Sequence, residues 1–142
     1  MKYHFTVNKE DGGYWGKCLE IDSCLSQGDT IQELRENFKE ALDLTLEEPA
    51  GSNMVFPMPD PKHEGVEGVV SILVDSDIAF ALLVRQYRIA HKLTQKQVQE
   101  AMGLPNRTSY VRLESKGNPT LAILTKLKKA FPDFPLEECF SA

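Results

Sequence analysis

Between residues 49 and 68 the chain places prolines at 49, 57, 59 and 61 and glycines at 51, 65 and 68. Proline lacks a backbone donor and fixes φ, and glycine weakens any regular element it sits in. Neither a continuous helix nor a central strand fits this stretch. It reads as a long loop, so packing must come from the segments on either side. Charge follows a similar division. Through Asp77 there are six basic against sixteen acidic residues; from Ile78 onward there are ten basic against five acidic. Such a split suggests two modules with different partners, of which the basic one is the better candidate for nucleic acid.

The chain has 142 residues, 42% apolar and 26% charged, with a net charge of −5. This allows one ordinary domain or two small ones and excludes collagen-like, coiled-coil and wholly disordered classes. The longest apolar run, residues 78–84, falls far short of the ~20 residues a membrane span needs. The first residues alternate in polarity and contain no signal-peptide core. Three cysteines do not make a disulfide framework. A cytoplasmic protein is expected.

On the N-terminal side, Tyr3, Phe5 and Val7 alternate with polar residues like a half-buried strand. Asp11-Gly12-Gly13 signals a turn, after which residues 14–19 are expected to return antiparallel to that first strand. A third short strand fits residues 24–26. Thr30 and Glu33 form a capping box, followed by Ile31, Leu34, Phe38, Ala41, Leu42 and Leu46 at helical spacing. Residues 69–74 are β-branched and short, hence a strand. Trp15 is read as a core residue between sheet and helix, and Glu20, Asp22 and Asp29 as solvated loop charge.

The last sixty residues are helical and punctuated. Asp75 or Ser76 caps a helix reaching about His91. Thr94 and Gln97 form a second capping box, opening a short helix that turns Val98 and Met102 inward. Gly103 stands where a left-handed helix stop belongs. A third helix fits residues 107–114, with Tyr110 and Leu113 on one face. Thr120 caps a fourth, whose buried side is assigned to Leu121, Leu124, Leu127 and Phe131. Phe134, Leu136, Cys139 and Phe140 form an apolar tail, expected to serve as a dimer interface.

Two short helices around a glycine turn, flanked by helices, make a helix-turn-helix unit, which offers a helix N-terminus to the major groove. Residues 78–131 resemble the XRE/Cro family through Leu93-Thr94-Gln95, Gly103, Arg112-Leu113-Glu114 and Asn118-Pro119-Thr120. Gln99 stands where the family has Ala, and the interval from Gly103 to Glu114 is one residue longer than usual. The resemblance implies groove contacts from Asn106, Arg107, Thr108 and Arg112, phosphate contacts from Gln95 and Lys96, and an internal ion pair between Arg88 and Glu114. Arg suits guanine and Asn suits adenine, whereas phosphate contacts position without specifying.

Residues 1–74 resemble the HicB antitoxin domain through Gly13, Tyr14, Cys24, Gly28, Asp29, Thr30, Asn37, Glu40 and Ala41. The fold class is therefore expected to be α+β. A partial ribonuclease-H-like ββ(β)αβ layer would occupy residues 1–75, with the proline-rich loop 49–68 inside it. An all-α helix-turn-helix domain would occupy residues 76–142. The resemblance implies a type II toxin–antitoxin pair. The partner is a small basic HicA-like toxin, an mRNA-cleaving ribonuclease. The chain would cover it and repress the shared promoter as a homodimer or higher even oligomer on an inverted-repeat operator.

From the residues themselves, Glu33, Glu36, Glu40, Asp43 and Glu47 step by three and four and form one acidic ridge. It is either a solvated face or a toxin-binding surface matched by charge. Enzyme chemistry is not indicated. Cys18 and Cys24 lack a second pair at zinc spacing, the three histidines lie in separate elements, and no glycine loop is placed to hold a phosphate. No metal or cofactor is expected. The alternative function is a ligand-sensing repressor with a small-molecule-binding N-terminal domain, which would lack a short neighbouring reading frame for a basic protein.

Overall fold

The computed structural model describes residues 1–115 and 117–141. The chain is mixed α/β, with antiparallel strands first and helices after. It divides into two compact units: Met1–Leu46 with Phe56–Asp75, and Glu47–Val55 with Ser76–Phe140. The proline-rich stretch is thus shared, its opening residues 49–55 counting with the helical unit rather than wholly with the first.

In the first unit, strands β1 (Lys2–Thr6), β2 (Asn8–Glu10), β3 (Gly13–Lys17) and β4 (Leu25–Gly28) precede helix α1 (Ile31–Leu46), and β5 (Val69–Leu73) closes the unit. Asp11 and Gly12 both have positive φ, 46° and 79°, the requirement of a two-residue hairpin turn. That turn sets Glu10 opposite Gly13 and Asn8 opposite Trp15. The returning strand is consequently flanked by β2 and β4, and it meets the first strand at the isolated Phe5–Cys18 bridge and through the Lys17 N–H to the Thr6 hydroxyl rather than in a ladder. β1 pairs instead with β5, Tyr3 opposite Ile72 and Phe5 opposite Val70. The expected pairing of residues 3–7 with 14–19 is corrected accordingly. β4 continues the hairpin as a third strand, starting at Leu25 rather than Cys24, which is buried.

The same register decides Trp15. Gly16 turns toward α1, where an added Cβ would lie 2.8 Å from the Phe38 ring and 1.7 Å from the Thr6 carbonyl. Its neighbour Trp15 must point the other way, and it is 41% exposed rather than core. Helix α1 forms as its spacing requires. The Thr30 hydroxyl accepts the Glu33 N–H at 3.1 Å, and Leu34, Phe38, Leu42 and Leu46 are buried at every fourth position. Phe38 stacks on Phe5 with ring centroids 4.3 Å apart. Ile31, in the first turn, is exposed.

The second unit holds α2 (Ser76–Ala90), α3 (Gln95–Ala101), α4 (Arg107–Val111) and α5 (Leu121–Ala130). The expected helix over 107–114 splits: Arg112–Glu114 tightens into a 3-10 turn. α5 buries Leu127, but Leu121 projects into solvent. Phe134 and Cys139, expected to be spare surface, are buried, and Phe134 packs edge-on against Phe80 and Tyr87. Of that tail Phe140 is exposed, at 64%, and Leu136 is half-buried. Among the described residues no helix is long and apolar enough to cross a membrane.

Candidate nucleic-acid interface

Three side-chain caps fix where the helices of the second unit begin. Thr94 and Gln97 bond each other's backbone N–H groups at 3.0 and 2.8 Å. Asn106 accepts the Ser109 N–H at 2.9 Å, and Thr120 accepts the Ile123 N–H at 3.2 Å. Such caps satisfy donors that the first helical turn leaves open. Gly103 ends α3 with φ +68°, a left-handed geometry that glycine adopts without penalty. Gln99 explains how its departure from the XRE/Cro pattern is accommodated. Its side-chain amide donates to the Leu104 carbonyl at 3.0 Å, tying α3 to the turn.

Beneath these helices lies a buried ionic centre. Arg88 Nε and Nη2 donate to the two carboxylate oxygens of Glu114 at 2.7 and 3.0 Å, the bidentate geometry in which arginine binds best. This is the ion pair the resemblance implied. Arg88 also reaches the Leu93 carbonyl and Asn53 Oδ1. Arg85, 1% exposed, donates to the Met54 and Glu114 carbonyls. The Glu114 bond holds the Arg88 guanidinium above its ordinary value, while burial pulls Arg85 below its own. Tyr110, also fully buried, has its phenol pushed up, first by burial and then by the Glu114 charge. The roles of Arg85, Asn53 and Met54 had no sequence signal. Residues 53 and 54 sit in an irregular segment, far along the chain from the arginines they serve.

The proposed contact residues separate into distinct settings. Lys96, Asn106, Arg107, Thr108 and Arg112 are exposed, whereas Gln95 is buried. Arg107 Nη2 donates to Gln95 Oε1 at 3.0 Å, joining the first residues of α3 and α4. Asn106 Oδ1 is occupied by the cap and by the Ser109 hydroxyl, neither of which uses its amide N–H₂. Arg112 lies in the 3-10 turn rather than in α4.

On the first unit, Glu33, Glu36 and Glu40 are exposed along α1, whereas Glu47, also exposed, lies one residue past the end of α1 and counts with the second unit. Asp43 departs from that ridge: it accepts from Lys39 Nζ at 3.1 Å, and the same ammonium reaches Asp75 at 2.8 Å. Burial raises the Asp43 carboxyl, with Lys39 opposing it. Glu33 also borders a cleft of about 570 Å³ lined by Glu10, Asp11, Tyr14, Trp15, Asp29 and Asn37, among others. None of its four carboxylates forms an ion pair with a described residue.

The fold and this arrangement define a class: an acidic α/β unit joined to a helix-turn-helix unit. Residues 84–138 match the helix-turn-helix family. The chain belongs to the UPF0150 family. It is 39% identical over 75 residues to the UPF0150 protein ssr1765 of Synechocystis, covering 51% of this chain and 90% of that protein. It is 26% identical over 110 residues to Antitoxin HicB of Escherichia coli K12, covering 75% of this chain and 76% of the relative. Antitoxin HicB 1 of Photorhabdus laumondii is 30% identical over 105 residues, 73% of this chain and 64% of the relative.

Proposed function

We propose that the chain is an antitoxin of a type II toxin–antitoxin system, neutralising a HicA-like mRNA interferase by direct binding and repressing its own operon through DNA. The observation that carries this reading is the reach of the HicB alignment. At 110 residues it is longer than either compact unit, so it spans part of both. The likeness is to the combination, not to a widespread helix-turn-helix alone.

Division of labour follows the charge. The first unit is read as the HicB-type, partial ribonuclease-H-like layer and supplies the acidic surface for a basic toxin. That surface is the ridge of Glu33, Glu36 and Glu40, with Asp43 at its edge, and the carboxylate-lined cleft beside Glu33 extends it; Glu47, the last step of the expected ridge, counts with the second unit. The second unit binds DNA. Arg107, held by Gln95, reads a base edge. Asn106, Thr108 and Arg112 flank it in the groove, and Lys96 neutralises phosphate. One such unit buries too little surface for operator affinities of ~10⁻⁸ M or better. A homodimer on an inverted repeat supplies the rest. With Phe134 and Cys139 buried in their own unit, that unit's exposed large apolar residues are Met54, Val55, Leu121 and Phe140, of which Leu121 and Phe140 flank the tail and are read as the contact.

The test is co-expression with the product of the neighbouring short reading frame. That product alone should arrest growth and cleave mRNA, and this chain should restore growth and co-purify with it. Restored growth without a complex would refute direct neutralisation.

A further inference from the structure

His4 lies on β1, 2% exposed, between two carboxylates. Its Nδ1 is 2.6 Å from Glu20 Oε2 and its Nε2 is 2.9 Å from Glu64 Oε2. Both neighbours only accept when ionised, and a neutral imidazole has one N–H. With both carboxylates ionised, a neutral ring would aim a lone pair at one of them, so this geometry favours the imidazolium. The carboxylates are themselves committed. Glu20, whose side chain is 3% exposed, also accepts the His4 and Asp60 N–H groups at 3.0 and 2.9 Å and the Cys18 thiol. Glu64 accepts from Lys2 Nζ and the Ser71 hydroxyl.

Two of these groups, Asp60 and Glu64, belong to the end of the proline-rich loop. Asp60 caps the 3-10 turn Pro61–His63, Glu64 ends it, and Lys62 pairs back to Asp60 at 3.1 Å. We propose that His4 is the pin of a proton-dependent latch that fastens loop residues 60–64 to β1 and β5 and releases them as the ring loses its proton. The groups facing the pin are Lys2, Cys18, Glu20, Asp60, His63 and Glu64, the His63 ring lying 5.8 Å away. Tyr3, the next residue on β1, secures the loop upstream through Pro57 and carries no charge near neutrality.

The titration directions agree with the geometry. His4 is held above its ordinary 6.5: burial opposes the charge, but the bonds to Glu20 and Glu64 outweigh it. Glu64 is held down to about 2, first by His4 and then by Lys2. Burial pushes the Cys18 thiol up to about 12, so it remains a donor. His4 favours the closed latch fully below 6.5, and the contribution is lost as pH rises through its raised value. Glu64 favours it above 4.5, and that contribution is lost as pH falls toward about 2.

Limited trypsin digestion of the full chain reads the latch through cleavage after the exposed Lys62, with rates normalised to a reference peptide at each pH. Release of one proton predicts about a tenfold rise in cleavage per pH unit above 6.5, levelling where the closed-state ring titrates. NMR of the His4 ring should place its midpoint above 6.5 and match that plateau. His4→Gln should abolish the slope. Glu64→Gln, at a half-exposed position that tolerates the change, should narrow the window and speed cleavage at neutral pH. A slope-free digestion, or a ring that titrates at or below 6.5, would overturn the latch even if His4→Gln failed to fold.

Discussion

Each unit of this chain buries an ionic centre, and the two are built from different chemistry. In the helical unit Arg88 and Glu114 form a bidentate pair, with Arg85 bonded to the Glu114 backbone. In the α/β unit a histidine bridges two carboxylates. Both centres fasten irregular chain, through Asn53 and Met54 in one case and Asp60 and Glu64 in the other. The guanidinium keeps its charge at any physiological pH, whereas imidazole changes charge close to neutrality. The DNA-binding scaffold is thus fixed, and the proposed toxin-binding unit is pH-sensitive.

Breaking the arginine centre should have the largest effect. Glu114→Ala leaves the buried Arg88 guanidinium unmatched, at a cost of about 3–5 kcal/mol. Denaturant unfolding should show this loss, unchanged between about pH 6 and 8 because the guanidinium left behind keeps its charge throughout that range. A pH-dependent loss would erase the contrast between the units. On the exposed side of that scaffold, Arg107→Ala should cost about 1–3 kcal/mol on operator DNA and little on random DNA. Equal losses on both would move Arg107 from base to phosphate.

The α/β unit should instead respond to pH. Its stability should be greatest between the ordinary glutamate and histidine values, 4.5 and 6.5. Above that range it should fall with rising pH by at most about 1.4 kcal/mol per unit, the one-proton limit. Chemical-denaturation series across pH, followed by Trp15 fluorescence, would measure the slope. The smallest effect is expected at the surface pair. Lys39→Ala removes contacts from a half-exposed ammonium to the exposed Asp75 and the partly buried Asp43, and should cost about 1 kcal/mol. A larger loss would make this pair a third ionic centre.

Local chemistry was the legible part of the sequence. Thr30, Thr94 and Thr120 announced their helices, Gly103 its stop, and the spacing of Leu34, Phe38 and Leu42 the buried face of α1. Strand parity was less so. A tight turn at Asp11-Gly12 sets which residues face α1, and a tryptophan looks like core until Gly16 takes that place. The ionic centres were legible only in part. Arg88–Glu114 came through a motif, but Glu20 and Glu64 meet His4 across 16 and 60 residues, and no periodicity marks such a meeting. The buried glutamate therefore read as loop charge. Of the expected contact residues, the structure joins Gln95 to Arg107 and gives Asn106 a capping role that its sequence position alone did not reveal.

The central claim is that one chain neutralises a toxin with its acidic unit and binds DNA with its basic one. Two full-length variants measured in both assays test it directly: Glu33, Glu36 and Glu40 changed together to Lys, and Arg107→Ala. The account predicts a crossed result, in which the lysine variant loses toxin neutralisation but keeps operator binding, and Arg107→Ala does the reverse. Loss of toxin neutralisation by Arg107→Ala, with the lysine variant still protecting cells, would contradict it.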